Sequence, residues 1–229
     1  MKNSSQHGFI TGVQHFEKHP KFKNKNFDVA ILFLKNELPK NPSINPICLK
    51  EPEQDEQKNT VAVVIGWGKD LITLDVGKEL KSAKLQILET DYCEDQVGHV
   101  DARGDVFRTG DFGDDLFCAD DPAGGYTGAC HGDSGGPIFT FETKNFRFEL
   151  QGIVQGGEVC GVFGSPGIYT NTSFGDIHTW ILDRVSAKGE FEAVTVILMM
   201  MDIKANFLNI KKQICNFLNP NLFLCKPCS

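Results

Sequence analysis

The sequence predicts an all-β protein, and three observations support this class. The 229 residues include 18 Phe and 23 Gly, which is typical of turn-rich β proteins rather than of helical bundles. Short apolar runs recur between segments rich in Gly, Pro, Asn and Lys, as expected for strands separated by turns. Apolar residues make up 41% of the chain and charged residues 23%, so a chain of this length can bury a sizeable core.

Four strands are predicted in the first two thirds of the chain. Residues 27–34 form a short apolar run bounded by polar segments, which indicates a buried strand. Residues 60–65 are β-branched and enter a turn at Gly66-Trp67-Gly68. Further strands are expected at residues 80–88 and 146–154, whereas the Pro-rich residues 38–54 are predicted to be a linker and the acidic residues 94–117 a surface loop.

Helical spacing occurs only towards the C-terminus. Ser173 to Asp176 resembles a helix start with a capping side chain, and apolar residues follow it with helical periodicity as far as Val185. In the tail, apolar residues from Ile203 to Phe217 recur at steps of three and four, which predicts an amphipathic helix; an accidental pattern is the alternative. Ala193 to Met201 is the longest apolar run and is too short to span a membrane.

The net charge of −7 argues against a nucleic-acid binder, which needs a basic face to neutralise phosphates. The acidic residues concentrate in the middle of the chain. They could attract basic partners, or they could simply keep the loops solvated. We therefore expect neither a nucleic-acid partner nor a transmembrane segment.

Eight cysteines are more than a reducing cytosol usually tolerates without a metal or redox role. Four of them lie far apart in turn-like surroundings and form no tight metal-ligand pair, a pattern typical of disulfides in a secreted protein: Cys93, Cys118, Cys130 and Cys160. The first eight residues contain no apolar core, so no secretory signal peptide is recognised there. Cys225 and Cys228 have a half-zinc spacing, but only Cys215 lies near and the tail has no His, so no metal is expected.

The segment that carries the chemistry is Cys130-His-Gly-Asp-Ser-Gly-Gly-Pro137. A serine flanked by glycines fits a tight turn that exposes a nucleophilic hydroxyl beside free backbone N–H groups, which can stabilise the oxyanion of a tetrahedral intermediate. Glycine suits this place because a Cβ would block the approach of a substrate carbonyl. An ordinary Gly-rich turn is the alternative.

Between residues 19 and 185 the chain resembles the chymotrypsin/trypsin-like serine endopeptidases, which use a Ser-His-Asp triad for nucleophilic catalysis. Several motifs occur in the order found in that family. They are His19-Pro20, Phe27 to Leu34, Pro46-Ile-Cys-Leu49, Gly66-Trp67-Gly68, Phe117-Cys-Ala119, the serine segment, Gly152-Ile-Val154, Pro166-Gly-Ile-Tyr-Thr170 and the helix with Trp180.

The resemblance implies a role for each matching residue. Ser134 matches the nucleophile and Asp28 the buried carboxylate that orients the catalytic imidazole. The N–H groups of Gly132 and Ser134 match the oxyanion hole, and Asp133 matches the residue that pairs with a new amino terminus on activation. The specificity pocket matches Gly128 at its base and Gly157 and Gly167 on its walls.

The resemblance also implies two disulfides, Cys93–Cys118 and Cys130–Cys160. A third family bridge is missing at both ends, because Ala62 and Thr140 stand where the two cysteines would be. Cys48 matches a cysteine that usually reaches an upstream segment, and the partners of Cys48, Cys215, Cys225 and Cys228 are left open.

The catalytic histidine has no match. In the family it precedes the aspartate by about 45 residues, but only 27 residues precede Asp28 here and none reads Ala-Ala-His-Cys. No activation site is found either. Loss of an upstream part of a longer secreted protein or gene model would explain both, together with the missing signal peptide and the missing partner of Cys48.

These observations predict a chymotrypsin-like double β-barrel with a complete C-terminal barrel, a partial N-terminal barrel and a C-terminal helix. Residues 1–50 would be the remnant of the first barrel, 51–187 the second barrel with its helix, and 188–229 an extension. The expected function is a secreted serine endopeptidase without cofactor, acting on protein or peptide substrates and open to protease inhibitors, but inactive without its histidine. The alternative is a non-catalytic homologue that binds partners in a proteolytic cascade.

Overall fold

The computed structural model describes residues 11–23, 25–38, 46–52, 59–69, 79–96, 112–124, 127–157, 159–162 and 164–186, together with the backbone of Val196–Met199. Ten strands and two helices lie in these segments. In chain order they are β1 Val13–Lys18, β2 Ala30–Leu34, β3 Cys48–Leu49, β4 Val61–Gly66, β5 Lys81–Ile87, α1 Thr90–Gln96, β6 Leu116–Asp120, β7 Pro137–Glu142, β8 Arg147–Gly156, β9 Gly167–Asn171, α2 Gly175–Ser186 and β10 Val196–Met199.

Six strands form a closed barrel. Its strand order is β8-β7-β4-β5-β6-β9, and β9 pairs back to β8, which closes the sheet and leaves no free edge among these six. The period-two pattern of β4 shows how the sequence fits this barrel, since Ala62 and Val64 are buried whereas Val61 is exposed. The barrel core contains Leu85, Ile138 and further apolar residues, and all six strands contribute to it.

The smaller sheet has the order β1-β2-β10. Its central strand is β2, the apolar run predicted from residues 27–34, and four of its five residues are buried. The core of this region joins Ile31 and Phe33 of β2 to Trp180 and Ile181 of α2 and to Ile153 of the barrel. Apolar packing between β2, α2 and β8 therefore places the smaller sheet against the barrel.

The predicted fold class is confirmed, because the chain is mostly β with a closed six-stranded barrel and two helices. Three local features differ from the sequence-based expectations. The linker 38–54 contains β3, which pairs in parallel with β8 in the large sheet. The acidic loop predicted at 94–117 begins inside α1 and ends inside β6, and Cys93, the one buried residue of α1, is bonded to Cys118 of β6.

The third difference is in the tail, where Val196–Met199 forms a strand. The amphipathic helix predicted from Ile203 to Phe217, as well as Cys215, Cys225 and Cys228, lie outside the described residues. None of the helices in the described part of the chain is long and apolar enough to span a bilayer.

Candidate active site

The predicted nucleophile Ser134 lies in the tight turn that leads into β7, here called the nucleophile turn (residues 132–136). Gly132 and Gly135 flank the serine with φ angles of +101° and +84°, which side chains other than glycine rarely adopt. The Gly135 N–H donates to the Val154 carbonyl (2.9 Å), and the Val154 N–H donates back to the turn (2.8 Å). Strand β8 of the barrel therefore anchors the nucleophile turn.

Ser134 itself is half-buried. Among the described residues, no hydrogen bond uses its hydroxyl or its N–H. A hydroxyl in this state can attack a carbonyl carbon, and an N–H in this state can donate to the oxyanion that such an attack creates. The local geometry thus suits the role that the sequence predicts for this residue.

The side chain of Asp133 is directed towards the end of β4. Its Oδ1 accepts a hydrogen bond from the Gly68 N–H (2.7 Å), and its Oδ2 accepts one from the Cys130 N–H (2.9 Å). A Cβ at Gly68 would lie 2.5 Å from Cγ of Asp133, and a Cβ at Gly66 would lie 2.7 Å from the same atom. The two glycines of the Gly-Trp-Gly segment therefore make room for this carboxylate.

Burial raises the pKa of the Asp133 carboxyl, and the two N–H donors oppose that shift because they favour the charged form. The carboxylate is thus stabilised by backbone N–H dipoles in a half-buried position. Since Asp133 immediately precedes Ser134, these two hydrogen bonds also help to hold the backbone of the nucleophile turn in place.

Asp28 is fully buried two residues before the start of β2. Its backbone carbonyl accepts a hydrogen bond from the Thr170 hydroxyl on β9 (3.1 Å). Thr170 in turn is the register partner of Ile153, whose neighbour Val154 anchors the nucleophile turn. A short path of barrel contacts therefore connects the segment of Asp28 with that of Ser134.

A second contact on this path was not predicted from the sequence. Phe27 has a positive φ of +53°, and its N–H donates to Oδ2 of Asp115 (2.5 Å). Asp115 is only 3% exposed, and burial raises the pKa of its carboxyl. The sole sequence signal is an acidic residue shortly before the Phe117-Cys-Ala119 motif, in a stretch predicted to be surface loop. Asp115 positions the backbone next to Asp28.

The predicted pocket residues lie on neighbouring segments of the barrel. A Cβ added at Gly157 would meet Cα of Gly167 at 3.6 Å, so the two predicted walls adjoin. Among the described residues, a Cβ at Gly128 would have only the Gly161 N–H nitrogen within 4 Å, at 3.8 Å, so these residues leave the space there open. A Cβ at Gly167 would lie 2.8 Å from the hydroxyl oxygen of Tyr169.

Tyr169 lies in the barrel core beside Gly167, and the sequence analysis quoted it only within a motif. Its ring is fully buried and stacks on Phe117 at 5.3 Å between centroids. Burial, followed by the charges of Asp133 and Asp120, raises the pKa of its phenol. Its hydroxyl has no hydrogen-bond partner among the described residues and lies beside Gly167, one of the two predicted wall residues.

The two disulfides implied by the sequence are present, as Cys93–Cys118 and Cys130–Cys160. The second one joins the nucleophile segment to the loop after the Gly157 wall. Cys48 is buried and forms no disulfide among the described residues. The positions of the missing third bridge are both buried, and the antiparallel register of β4 and β7 carries Ala62 to Thr140.

One cluster in the described part of the chain has the composition of a metal site. Nδ1 of His131 lies 3.5 Å from Sγ of Cys160 and 3.7 Å from Sγ of Cys130. Both sulfurs belong to one disulfide, and a metal ligand would have to be a thiolate. The cluster therefore does not provide a metal site in the oxidised protein.

The four described histidines are engaged away from Ser134. His15 stacks on Phe33, and His131 contacts the disulfide named above. His19 packs against the rings of Phe27 and Trp180, and burial lowers its pKa. Nε2 of His178 lies 3.7 Å from a carboxylate oxygen of Glu51, and its pKa is also lowered by burial. None of these contacts joins an imidazole to Ser134 or Asp28, and His7 and His99 lie outside the described residues.

The sequence also matches known proteins. The family model described as Trypsin matches residues 1–181. The chain is 29% identical over 186 residues to phenoloxidase-activating factor 2 of Galleria mellonella, 29% over 202 residues to human serine protease 56, and 32% over 161 residues to human mannan-binding lectin serine protease 1. These alignments cover 77%, 87% and 69% of this chain but only 57%, 31% and 21% of the three relatives.

Proposed function

Because the chain belongs to the trypsin family, we propose that it supplies the nucleophile, the buried carboxylate and the specificity pocket of a serine endopeptidase. The observation that carries this proposal is the nucleophile turn. Glycines with positive φ flank Ser134, β8 anchors the turn, and the serine hydroxyl and N–H are unused by the described residues. In an ordinary Gly-rich turn, the side chain of the neighbouring Asp133 would not need the space left by Gly68 and Gly66, which are 65 and 67 residues away.

The proposed reaction is acyl transfer. Oγ of Ser134 attacks the carbonyl carbon of a peptide bond and loses its proton to an imidazole, which later protonates the leaving amine. The N–H groups of Gly132 and Ser134 stabilise the oxyanion of the tetrahedral intermediate. Water then hydrolyses the acyl-enzyme and regenerates the hydroxyl. The buried position of Asp28 suits a carboxylate that orients the imidazole and stabilises its charged form.

The imidazole is the part that the four described histidines do not provide. Two are buried against other groups, one lies against a disulfide, and one stacks on a phenylalanine. We therefore propose that this chain on its own is a very poor catalyst, although its nucleophile turn is preformed.

The pocket is proposed to take large apolar or aromatic side chains such as Phe, Tyr or Leu. Gly128 puts no charge at its base, and a buried Lys or Arg side chain without a partner there would pay a desolvation penalty of several kcal/mol. Burial of an aromatic side chain instead contributes about 2–3 kcal/mol. Glu158, beside the Gly157 wall, lies outside the described residues.

The proposed setting is extracellular, with protein or peptide substrates and with protease inhibitors as partners. Two disulfides within the described residues support an oxidising compartment. The alternative function is a non-catalytic homologue that binds partners in a proteolytic cascade. The observation in its favour is the engagement of every described histidine away from Ser134.

Chemical rescue distinguishes the two functions. The chain is labelled with peptidyl phosphonate probes that carry Phe or Lys next to the reactive group, with and without added imidazole, which can act as a free general base. We expect slow labelling in buffer, faster labelling with imidazole, and a preference for the Phe probe. Labelling should disappear in Ser134→Ala and persist in Ser82→Ala, which changes an exposed serine on β5.

Each other outcome has a clear meaning. Absence of any acceleration by imidazole would contradict a preformed acyl-transfer site and favour the non-catalytic homologue. Rapid labelling of Ser134 without imidazole would show that a histidine of this chain already serves as the base. A preference for the Lys probe would contradict the proposed pocket specificity only.

A further inference from the structure

The strand β2 has two edges, and the tail of the chain covers one of them. Strand β1 pairs along the first edge from Ala30 to Leu34. Strand β10 pairs antiparallel along the second edge, with Val196 opposite Phe33 and Met199 opposite Ala30. Strand β10 lies outside residues 1–181, which the family model matches, but it completes a sheet whose other two strands lie within those residues.

An uncovered second edge would be a hazard. Residues 29 to 33 are each at most 5% exposed, and β2 contains no charged residue, proline or glycine. Such a strand lacks the charged side chains and prolines by which many proteins prevent edge-to-edge pairing. Its unpaired N–H and C=O groups would pair with another apolar strand, and β2 of a second copy of the chain is such a strand.

We propose that β10 is an intramolecular cap that prevents self-association of this chain through β2. The occupant of the uncapped edge is β2 of a second copy, because antiparallel pairing of two identical apolar strands satisfies both edges at once. This inference does not depend on the proposed catalytic function.

The connection between α2 and β10 favours capping within one molecule. Helix α2 ends at Ser186 and β10 begins at Val196, so residues 187–195 join them. Nine residues span at most about 30 Å, and a tether of this length gives the cap an effective concentration of about 1 mM. At lower protein concentrations the tethered strand therefore outcompetes a second copy for the edge.

The apolar run from Ala193 to Met201 is explained by this role. It is rich in β-branched and large apolar residues, as expected of a strand that pairs within a buried sheet. The sequence analysis singled out this run only because it is too short to cross a membrane. As a cap it has the length and composition that the β2 edge requires.

Two truncations test the cap. The chain that ends at Ala187 lacks β10, and the matched control that ends at Asp202 keeps β10 but lacks Cys215, Cys225 and Cys228, so tail disulfides cannot explain a difference. Light scattering coupled to size exclusion should show the full chain and the control as monomers and the shorter chain as dimers or larger species. A monomeric short chain at the same concentration would overturn the proposal.

Hydrogen exchange provides a measurement that needs no variant. In the full chain, the amides of residues 196–199 and of β2 should be protected to a similar degree. If those of 196–199 exchange as fast as an unstructured peptide, the proposal is wrong. In the short chain, about half of the β2 amides should lose protection when dilution dissociates the self-associated species, since N–H groups alternate between the two edges of a strand.

A peptide of residues 190–202 covers the case in which the short chain aggregates during refolding. Added in trans, it should restore monomers and β2 protection if the cap is what the chain lacks. Aggregation that the peptide does not reduce would contradict the proposal.

Discussion

Replacing Gly68 with alanine tests whether the absence of a side chain in the Gly-Trp-Gly segment makes room for the carboxylate of Asp133. The three atoms nearest to the added methyl group all belong to that carboxylate, with Cγ at 2.5 Å and Oδ1 at 2.6 Å. Both distances are shorter than real contacts, so the Asp133 side chain has to move. It is held by two N–H donors and is half-buried, so its displacement breaks hydrogen bonds.

The expected cost has two parts. Losing a hydrogen bond to a charged acceptor costs about 1.5–3 kcal/mol, and overpacking of a filled site adds about 1–3 kcal/mol. The free energy of unfolding should therefore fall by roughly 4 kcal/mol, which corresponds to a decrease in Tm of about 8–16 °C for a domain of this size. Labelling of Ser134 in the presence of imidazole should fall as well, because Asp133 is its chain neighbour.

Thermal unfolding followed by circular dichroism is the assay, with Gly156→Ala as the matched control. A methyl group at Gly156 meets no atom of the described residues within 4 Å, so this variant should keep the wild-type Tm. In an Asp133→Ala background the Gly68→Ala change should cost little, because both changes act on one contact and are not additive. Equal Tm values for Gly68→Ala and Gly156→Ala would refute the reasoning.

Three further predictions concern covalent links and pH. Cys93→Ser should lower the free energy of unfolding by about 3 kcal/mol, since the lost bridge to Cys118 closes a loop of 25 residues in the unfolded chain; an unchanged Tm would contradict this. The double change Ala62→Cys and Thr140→Cys should form a third disulfide under oxidising conditions, seen as no additional free thiols, and two reactive thiols would contradict the register. His178→Gln should weaken the decrease in Tm that acid causes below pH 6.5. Burial lowers the pKa of this imidazole in the folded state, so its neutral form stabilises the wild type, and this stability is lost as the pH falls through the lowered pKa. An identical pH dependence of Tm in the variant and the wild type would contradict this.

The sequence alone was informative wherever the signal is local. The apolar run of β2, the β-branched run of β4 and the glycines around Ser134 act through backbone preferences and period-two patterning, which involve only neighbouring residues. The two disulfide pairs came from a resemblance that spans several ordered motifs. All of these features are present in the structure.

The tertiary structure alone decided the contacts between distant parts of the chain. Asp133 meets Gly68 across 65 residues, Phe27 meets Asp115 across 88, and Asp28 meets Thr170 across 142. No residue pattern marks these pairs, because each depends on how the barrel closes and on which side chain then faces which backbone group.

The tail shows the same division most clearly. Its apolar run was evident in the sequence, but a short apolar run fits a strand or a helix equally well. Pairing of Val196–Met199 with β2 became possible only because the fold leaves the second edge of β2 uncovered within reach of the end of α2. Backbone groups without partners in an apolar setting are costly, so the uncovered edge selects the strand.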